Sequence, residues 1–279
     1  MSVFSFDVQG NIAVITINRA AKLNALDQLQ YFELGRLLQE IATLEDVCVT
    51  VLVGTGRFFS AGADVNSVST SSMGTIPNSK LTRAEANEAY RQFLTTFGAY
   101  NLNLARSFYT HPKILVFGLN GPAIGLSGAL AGLADFVYCT PQTFLLMPFS
   151  SLGLVAEGTA SHALVRRMGV AKANEALIMG KKIVSEELKA CGFVNEVFDV
   201  GGDDAAFRER VMKEVRERFA EHVNKESLLH IKKLIRGPEI AELDKANIKE
   251  VFGGIERFMK GVPQTEFGRV ARGEKRHKL

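Results

Sequence analysis

The stretch from Ile114 to Leu133 constrains the fold of this chain more than any other. Ile114 to Leu119 is a short apolar run, partly β-branched, bounded by Pro112 and by Asn120-Gly121-Pro122, and it reads as a buried strand ending in a turn. From Leu126 to Leu133 the small residues Ser127, Gly128, Ala129, Ala131 and Gly132 let a helix lie close against neighbouring backbone. The pattern predicts a helix that starts near Leu126. The first N–H groups of a helix have no partner within it and sit at the positive end of its dipole, so the N–H of Leu126 is suited to receive an oxyanion.

Glu157 supplies candidate chemistry for that geometry. It is the only charged side chain between Asp135 and His162, and the apolar run Leu152 to Ala156 precedes it. Two roles fit it: a base strengthened by desolvation, or an acid that decorates a helix start.

At 279 residues the chain can bury a large core and is long for one domain, which predicts one domain plus an appended helical region. Net charge is +3 with acids and bases interspersed, too mild for a nucleic-acid footprint, although basic residues gather in RVARGEKRHKL. The chain contains no apolar run long enough for a membrane span, and MSVFSFDVQGN lacks the regions of a secretory signal. Cys48, Cys139 and Cys191 are far apart and odd in number, so buried free thiols in a reducing compartment are expected. His111, His162, His222, His230 and His277 have no paired-ligand spacing, so no metal is expected.

Residues 3 to 8 and 12 to 18 flank Gly10-Asn11 and predict a β-hairpin. A helix is expected from about Asp27, a plausible N-cap, to Ala42, followed by a buried strand from Val47 to Val53. GTGRFFSAGAD then lacks the third glycine of a dinucleotide fingerprint, since Phe59 stands in its place. What remains is a glycine-rich turn, with Ala61, Gly62 and Ala63 small enough for a ligand to touch backbone, or a tight turn capped by Asp64. Residues 66 to 80 read as a loop, Arg83 to Tyr109 as a long helix, 158 to 168 and 171 to 179 as two short helices, and 192 to 198 as a strand. Ser127 lacks the closing glycine of a nucleophile elbow. After Asp203 the pattern is helical, broken at Gly237-Pro238 and thinned at Gly253-Gly254. Strands alternating with helices up to residue 200 predict an α/β core over 1–200, with 201–279 a helical cap or oligomer contact.

Taken together, LNAL at 23 to 26, FFSAGAD at 58 to 64 and NGPAIGLSGALAGLAD at 120 to 135 resemble the crotonase (enoyl-CoA hydratase/isomerase) family. The resemblance implies a spiral of ββα turns that binds an acyl-CoA thioester, with the thioester oxygen held by the backbone N–H groups of Ala63 and Leu126. It implies contacts to the acyl-CoA near Lys22, Asn24 and Ala25 and near Ala61, Gly62 and Asp64; the Lys22 side chain either meets a CoA phosphate or is a solvated surface lysine. CoA is then part of the substrate, and no separate cofactor is implied.

Family hydratases carry two glutamates, at the positions occupied here by Ala129 and Phe149, so the resemblance argues against hydration, which needs one group for water and another for a proton. The pattern is most similar to the peroxisomal 3,2-enoyl-CoA isomerases of fungi, which makes Glu157 the sole acid/base, carrying a proton from C2 to C4. Phe149, Leu152, Leu154 and Val155 are candidate apolar walls, and Asn101 either orients Glu157 or is a surface helix residue. Alternatives are a dienoyl-CoA isomerase and a non-catalytic acyl-CoA- or RNA-binding member of the fold. The resemblance further implies a homotrimer or hexamer. His277-Lys278-Leu279 is similar to a peroxisomal address, implying an import receptor as partner and the peroxisomal matrix as location.

Overall fold

The computed structural model describes residues 2–64, 82–219 and 222–275, so the loop expected over 66–80 lies outside the described residues, as does the terminal tripeptide. The predicted hairpin forms as β1 (Phe4–Gln9) and β2 (Ile12–Ile17), and β2 then pairs in parallel with β3 (Val49–Gly54). Between them runs α1 (Gln28–Ala42). Asp27 fixes its start: its carboxylate accepts the N–H of Gln30 at 2.9 Å, and the Gln30 side chain accepts the N–H of Asp27 at 2.9 Å. This reciprocal cap satisfies donors that a helix start otherwise leaves open.

The long helix expected over 83–109 forms as α2 (Arg83–Phe93) and α3 (Ala99–Tyr109), joined by a π turn at Leu94–Gly98. It leads to β4 (Ile114–Leu119), β5 (Ala123–Ile124) and α4 (Gly125–Ala131). With β6 (Phe136–Cys139) and β9 (Glu196–Val197) the main sheet has the order β1-β2-β3-β4-β6-β9, parallel from β2 onward. β5 joins β7 (Phe144–Leu146) and β8 (Ile183–Val184) in a second sheet. The strand expected over 192–198 shrinks to β9, and β6, β7 and β8 are too short for periodicity to announce them.

β3 and β4 are buried at every residue because each face of the sheet carries helices. Leu52, Leu115, Phe117 and Leu119 join the cluster containing Leu38 of α1 and Phe108 of α3. Val49, Val51, Val53 and Val116 face α8 (Asp204–Arg218) through Phe207, Val211 and Val215. Gly118 lies on the second face: a Cβ there would stand 2.8 Å from Val53 and 3.3 Å from Val211, so bare backbone sets how closely α8 approaches.

Beyond β7 come α5 (Ala160–Met168), α6 (Val170–Leu177) and α7 (Ser185–Ala190), and beyond α8 come α9 (Lys225–Arg236), α10 (Ile240–Met259) and α11 (Val262–Ala271). A 3-10 turn, Gly237–Glu239, occupies the break expected at Gly237-Pro238. The thinning expected at Gly253-Gly254 does not occur, and α10 runs through both. A Cβ on Gly254 would stand 2.8 Å from the Phe97 ring, and Gly253 lies against Val155. Gly254 serves close packing on the π turn, which offsets its poor helix propensity. α10 buries Leu243, Val251, Ile255 and Phe258 against its own chain. Cys48 and Cys139 are buried and Cys191 is half-buried, all three free of disulfides.

Asp135, which ends the small-residue motif, fastens α9 to the sheet. Its carboxylate accepts the N–H of Leu115 at 2.7 Å and pairs with Lys232 at 2.6 Å and Arg236 at 3.4 Å. Lys232 is only 8% exposed, so losing its partner strands a buried ammonium. Asp135→Ala is expected to destabilise the fold by about 3 kcal/mol, read as a lowered denaturation midpoint.

Candidate active site

The site begins with a strap between β2 and α1. Leu23 and Asn24 are consecutive residues at positive φ, 52° and 54°, which turn the chain back on itself. The buried Asn24 side chain holds that turn. Its Oδ1 accepts the N–H of Arg19 at 2.8 Å, and its Nδ2 donates to the carbonyls of Thr55 and Phe58, both at 2.8 Å. Ala25 donates its N–H to Lys22 O at 3.0 Å and accepts from the Arg19 guanidinium at 2.7 Å, and that guanidinium also pairs with Asp64 at 2.8 Å. Asn24, Ala25 and Asp64 therefore frame the site, while Lys22 is exposed beside them.

The strap docks the glycine-rich turn. Ala61 donates to Leu23 O at 2.9 Å, Leu26 donates to Gly62 O at 2.9 Å, and Asp64 donates to Leu26 O at 3.0 Å. The intervening N–H of Ala63 has no acceptor among the described residues. On the other side, Ser60 bridges to Ala123, and Gly62 at φ +82° lies so close to α4 that a Cβ would stand 2.7 Å from the Ile124 carbonyl oxygen. Leu126, the second residue of α4, likewise has an N–H without an acceptor among the described residues. Two open donors thus lie on backbone segments in direct contact, one of them at a helix start, and they form a ready receptor for an oxyanion.

Three hydroxyls beneath the receptor hold it together. Ser60 Oγ lies 2.8 Å from both Asn24 O and Ser127 Oγ, and Ser127 Oγ lies 2.7 Å from the Tyr31 hydroxyl. This buried chain links the strap, the glycine-rich turn, α4 and α1. Burial pushes the Tyr31 phenol well above its ordinary range, so it stays neutral. The sequence marks Ser127 only as a failed nucleophile; its partners come from distant elements that no local pattern announces.

Glu157 stands next to this assembly. The following residue, Gly158, has φ +68°, and a Cβ there would stand 2.9 Å from Leu126 Cδ1 and 3.4 Å from the Ala129 methyl. The turn at Glu157 is therefore pressed onto the oxyanion helix. Glu157 as a residue is half-buried, and its carboxyl has no hydrogen-bond donor among the described residues. Dense surrounding protein, then the charge of Glu250, push it up to about 8. A base of that strength is unprotonated only on the alkaline side, so kcat/KM of the free enzyme is expected to rise with pH to a plateau above about 8.

No second carboxylate occupies the positions of the family hydratases. Ala129 is fully buried beside the Glu157 turn, and Phe149, at 3% exposure, is part of the core. Leu152 is buried while Leu154 and Val155 are half-buried. Asn101 is half-buried on α3 and makes no hydrogen bond to Glu157, so the orienting role weighed for it has no support. Glu250, which acts on Glu157 from α10, escapes a reading of the sequence because only the tertiary fold brings it near.

Comparison with known proteins agrees with this geometry. The Delta(3,5)-Delta(2,4)-dienoyl-CoA isomerase of Pyricularia oryzae is 52% identical over 281 residues, covering 99% of each chain. The 3,2-trans-enoyl-CoA isomerase of Saccharomyces cerevisiae is 31% identical over 283 residues, covering 99% of this chain and 96% of its own. The crystal structure of an enoyl-CoA hydratase/isomerase from Pseudoalteromonas atlantica matches the whole of both chains with a TM-score of 0.80 at 21% identity, a likeness of fold. The family model described as enoyl-CoA hydratase/isomerase matches residues 7–238, and with the spiral core, the paired backbone donors and the relatives in agreement, the chain belongs to the enoyl-CoA hydratase/isomerase (crotonase) family.

Proposed function

We propose that the chain is an enoyl-CoA isomerase that moves the double bond of a 3-enoyl-CoA into conjugation at the 2-trans position, with Glu157 as its only acid/base. The observation that carries this reading is one unpaired carboxyl of raised basicity beside two unpaired backbone donors. The thioester oxygen accepts from the N–H groups of Ala63 and Leu126, which lowers the cost of the negative charge that forms when Glu157 removes a proton from C2. The electron pair delocalises through the thioester and the original double bond. Glu157 then returns the proton at C4, and the new double bond lies between C2 and C3. C2 and C4 present one face of a planar dienolate, so one fixed carboxyl reaches both. The half-buried Leu154 and Val155 line the approach and limit water. The strap at Lys22, Asn24 and Ala25 and the turn at Ala61, Gly62 and Asp64 receive the CoA moiety, with the exposed Lys22 ammonium near a phosphate.

A second reading, conversion of 3,5-dienoyl-CoA to the 2,4-dienoyl isomer, is favoured by the name of the Pyricularia oryzae relative. It uses the same oxyanion receptor but returns the proton at C6, twice as far along the chain from C2, which calls for a second proton carrier. Steady-state rates on both thioesters decide between the readings. The 3-enoyl substrate is expected to turn over with the higher kcat/KM; a preference for the dienoyl substrate would assign the chain to the second reaction.

We further propose assembly into a trimer or a pair of trimers, supported by exposed Ile231, Leu234 and Ile235 on α9 and by Ile178 and Met179 after α6. Light scattering is expected to read three or six chains. A peroxisomal matrix location through His277-Lys278-Leu279 is supported by the resemblance to fungal peroxisomal isomerases, and an amino-terminally tagged chain is expected to leave peroxisomes when those residues are removed.

A further inference from the structure

Glu250 stands in the middle of α10 and is 6% exposed. Its Oε2 accepts the N–H of Thr159 at 2.6 Å, and its Oε1 accepts the N–H of Ser161 at 2.8 Å. Both donors belong to the opening of α5, which has no side-chain cap of its own. Thr159 cannot supply one: it sits at φ 63°, and its hydroxyl donates instead to Gly158 O at 2.6 Å. A carboxylate from a distant helix therefore does for α5 what an N-cap residue does elsewhere, and the negative charge suits that end of the helix dipole.

The clamp bears directly on the catalytic turn. Glu157 is followed by Gly158 and Thr159, consecutive residues in the left-handed region, and a β-branched residue is strained there. Such a backbone persists only where its surroundings fix it. We propose that Glu250 is the positioning residue of the site: it locks the turn that carries Glu157 through Thr159 and Ser161, and it holds a negative charge facing the Glu157 carboxyl. This rests on the assignment of Glu157 as the base.

Among the described residues, the titratable groups that act on Glu157 across the site are the Tyr31 phenol from α1 and Glu250 from α10. Tyr31 is neutral and bonded to Ser127, so Glu250 is the charged one. Burial raises Glu250 as well, while its bonds from Ser161 and Thr159 oppose that. Glu250 is assigned no proton transfer, because each of its oxygens accepts a backbone N–H of the turn and those bonds favour its ionised form.

The test compares pH profiles of kcat/KM on 3-enoyl-CoA for wild type, Glu250→Gln and Glu250→Asp, with circular dichroism to verify folding. Gln keeps the size but removes the charge and one acceptor. Its kcat is expected to fall by about ten- to a hundredfold with KM little changed, and the acidic limb is expected to move to lower pH by about one unit. Asp keeps the charge but loses reach, so kcat falls while the limb stays near that of wild type. A folded Glu250→Gln enzyme whose limb does not move overturns the proposal, since a purely structural cap predicts that. Should Glu250→Gln not fold, Glu250→Asp decides: wild-type kcat in the folded Asp enzyme refutes the clamp. Glu157→Gln in the same assay separates the two claims. If it is inert while the Glu250→Gln profile is unmoved, the base stands and Glu250 falls; if it is fully active, the base assignment fails and the role of Glu250 with it.

Discussion

Glu157→Gln is expected to lower kcat on 3-enoyl-CoA by about a hundredfold or more while acyl-CoA binding persists, the range for a lost general base. Gln has the size of Glu and none of its basicity, and the oxyanion donors are backbone groups that the substitution does not touch. The same variant is expected to be more stable than wild type in alkali. Folding raises Glu157 from its ordinary value to about 8, so between roughly pH 4.5 and pH 8 the folded chain binds a proton that the unfolded chain does not. Stability from this group is therefore fully present below the unfolded value and lost as pH rises through about 8. Thermal denaturation at pH 9 is expected to favour Glu157→Gln, with the advantage gone at pH 5, where the folded wild type already carries a neutral acid. A base kept strong by burial weakens the fold that holds it.

Gly62→Ala is expected to cost comparable activity by a different route. Gly62 sits at φ +82°, and a Cβ there would stand 2.7 Å from Ile124 O, so the glycine-rich turn and the start of α4 must separate to admit it. That separation pulls the N–H of Ala63 away from that of Leu126. Losing one oxyanion donor costs about a hundred- to a thousandfold in kcat, and the variant should approach that range while Glu157 keeps its environment. Gly169→Ala is the control. It carries a similar φ, +78°, with nothing within 4 Å of the added Cβ, so it should cost stability and leave kcat near wild type.

The parts of this site that are legible in the sequence are those fixed by short-range rules. The hairpin around Gly10-Asn11, the cap at Asp27 and the helix start at Leu126 each follow from residues within one turn or strand of one another. Resemblance to a family adds Ala63 as the second donor, and the open N–H there agrees with it. What the sequence hides is decided by packing between distant segments. Tyr31, Ser60 and Ser127 come from three elements and meet only because α1 and the glycine-rich turn close over α4. Glu250 lies among ordinary helical residues, and nothing in its neighbours signals that it caps α5. Gly253-Gly254 misleads for the same reason: propensity marks a weak helix, whereas the Phe97 ring leaves no room for a side chain at Gly254.

The most direct test of the single-base account is the fate of the proton itself. A 3-enoyl-CoA deuterated at C2 would be turned over once in ordinary water and the product analysed for label. If Glu157 alone carries the proton across one face of the dienolate, part of the deuterium is expected at C4. A product whose new hydrogen at C4 came entirely from solvent would contradict the account, because the deuteron removed from C2 would then not be the one returned.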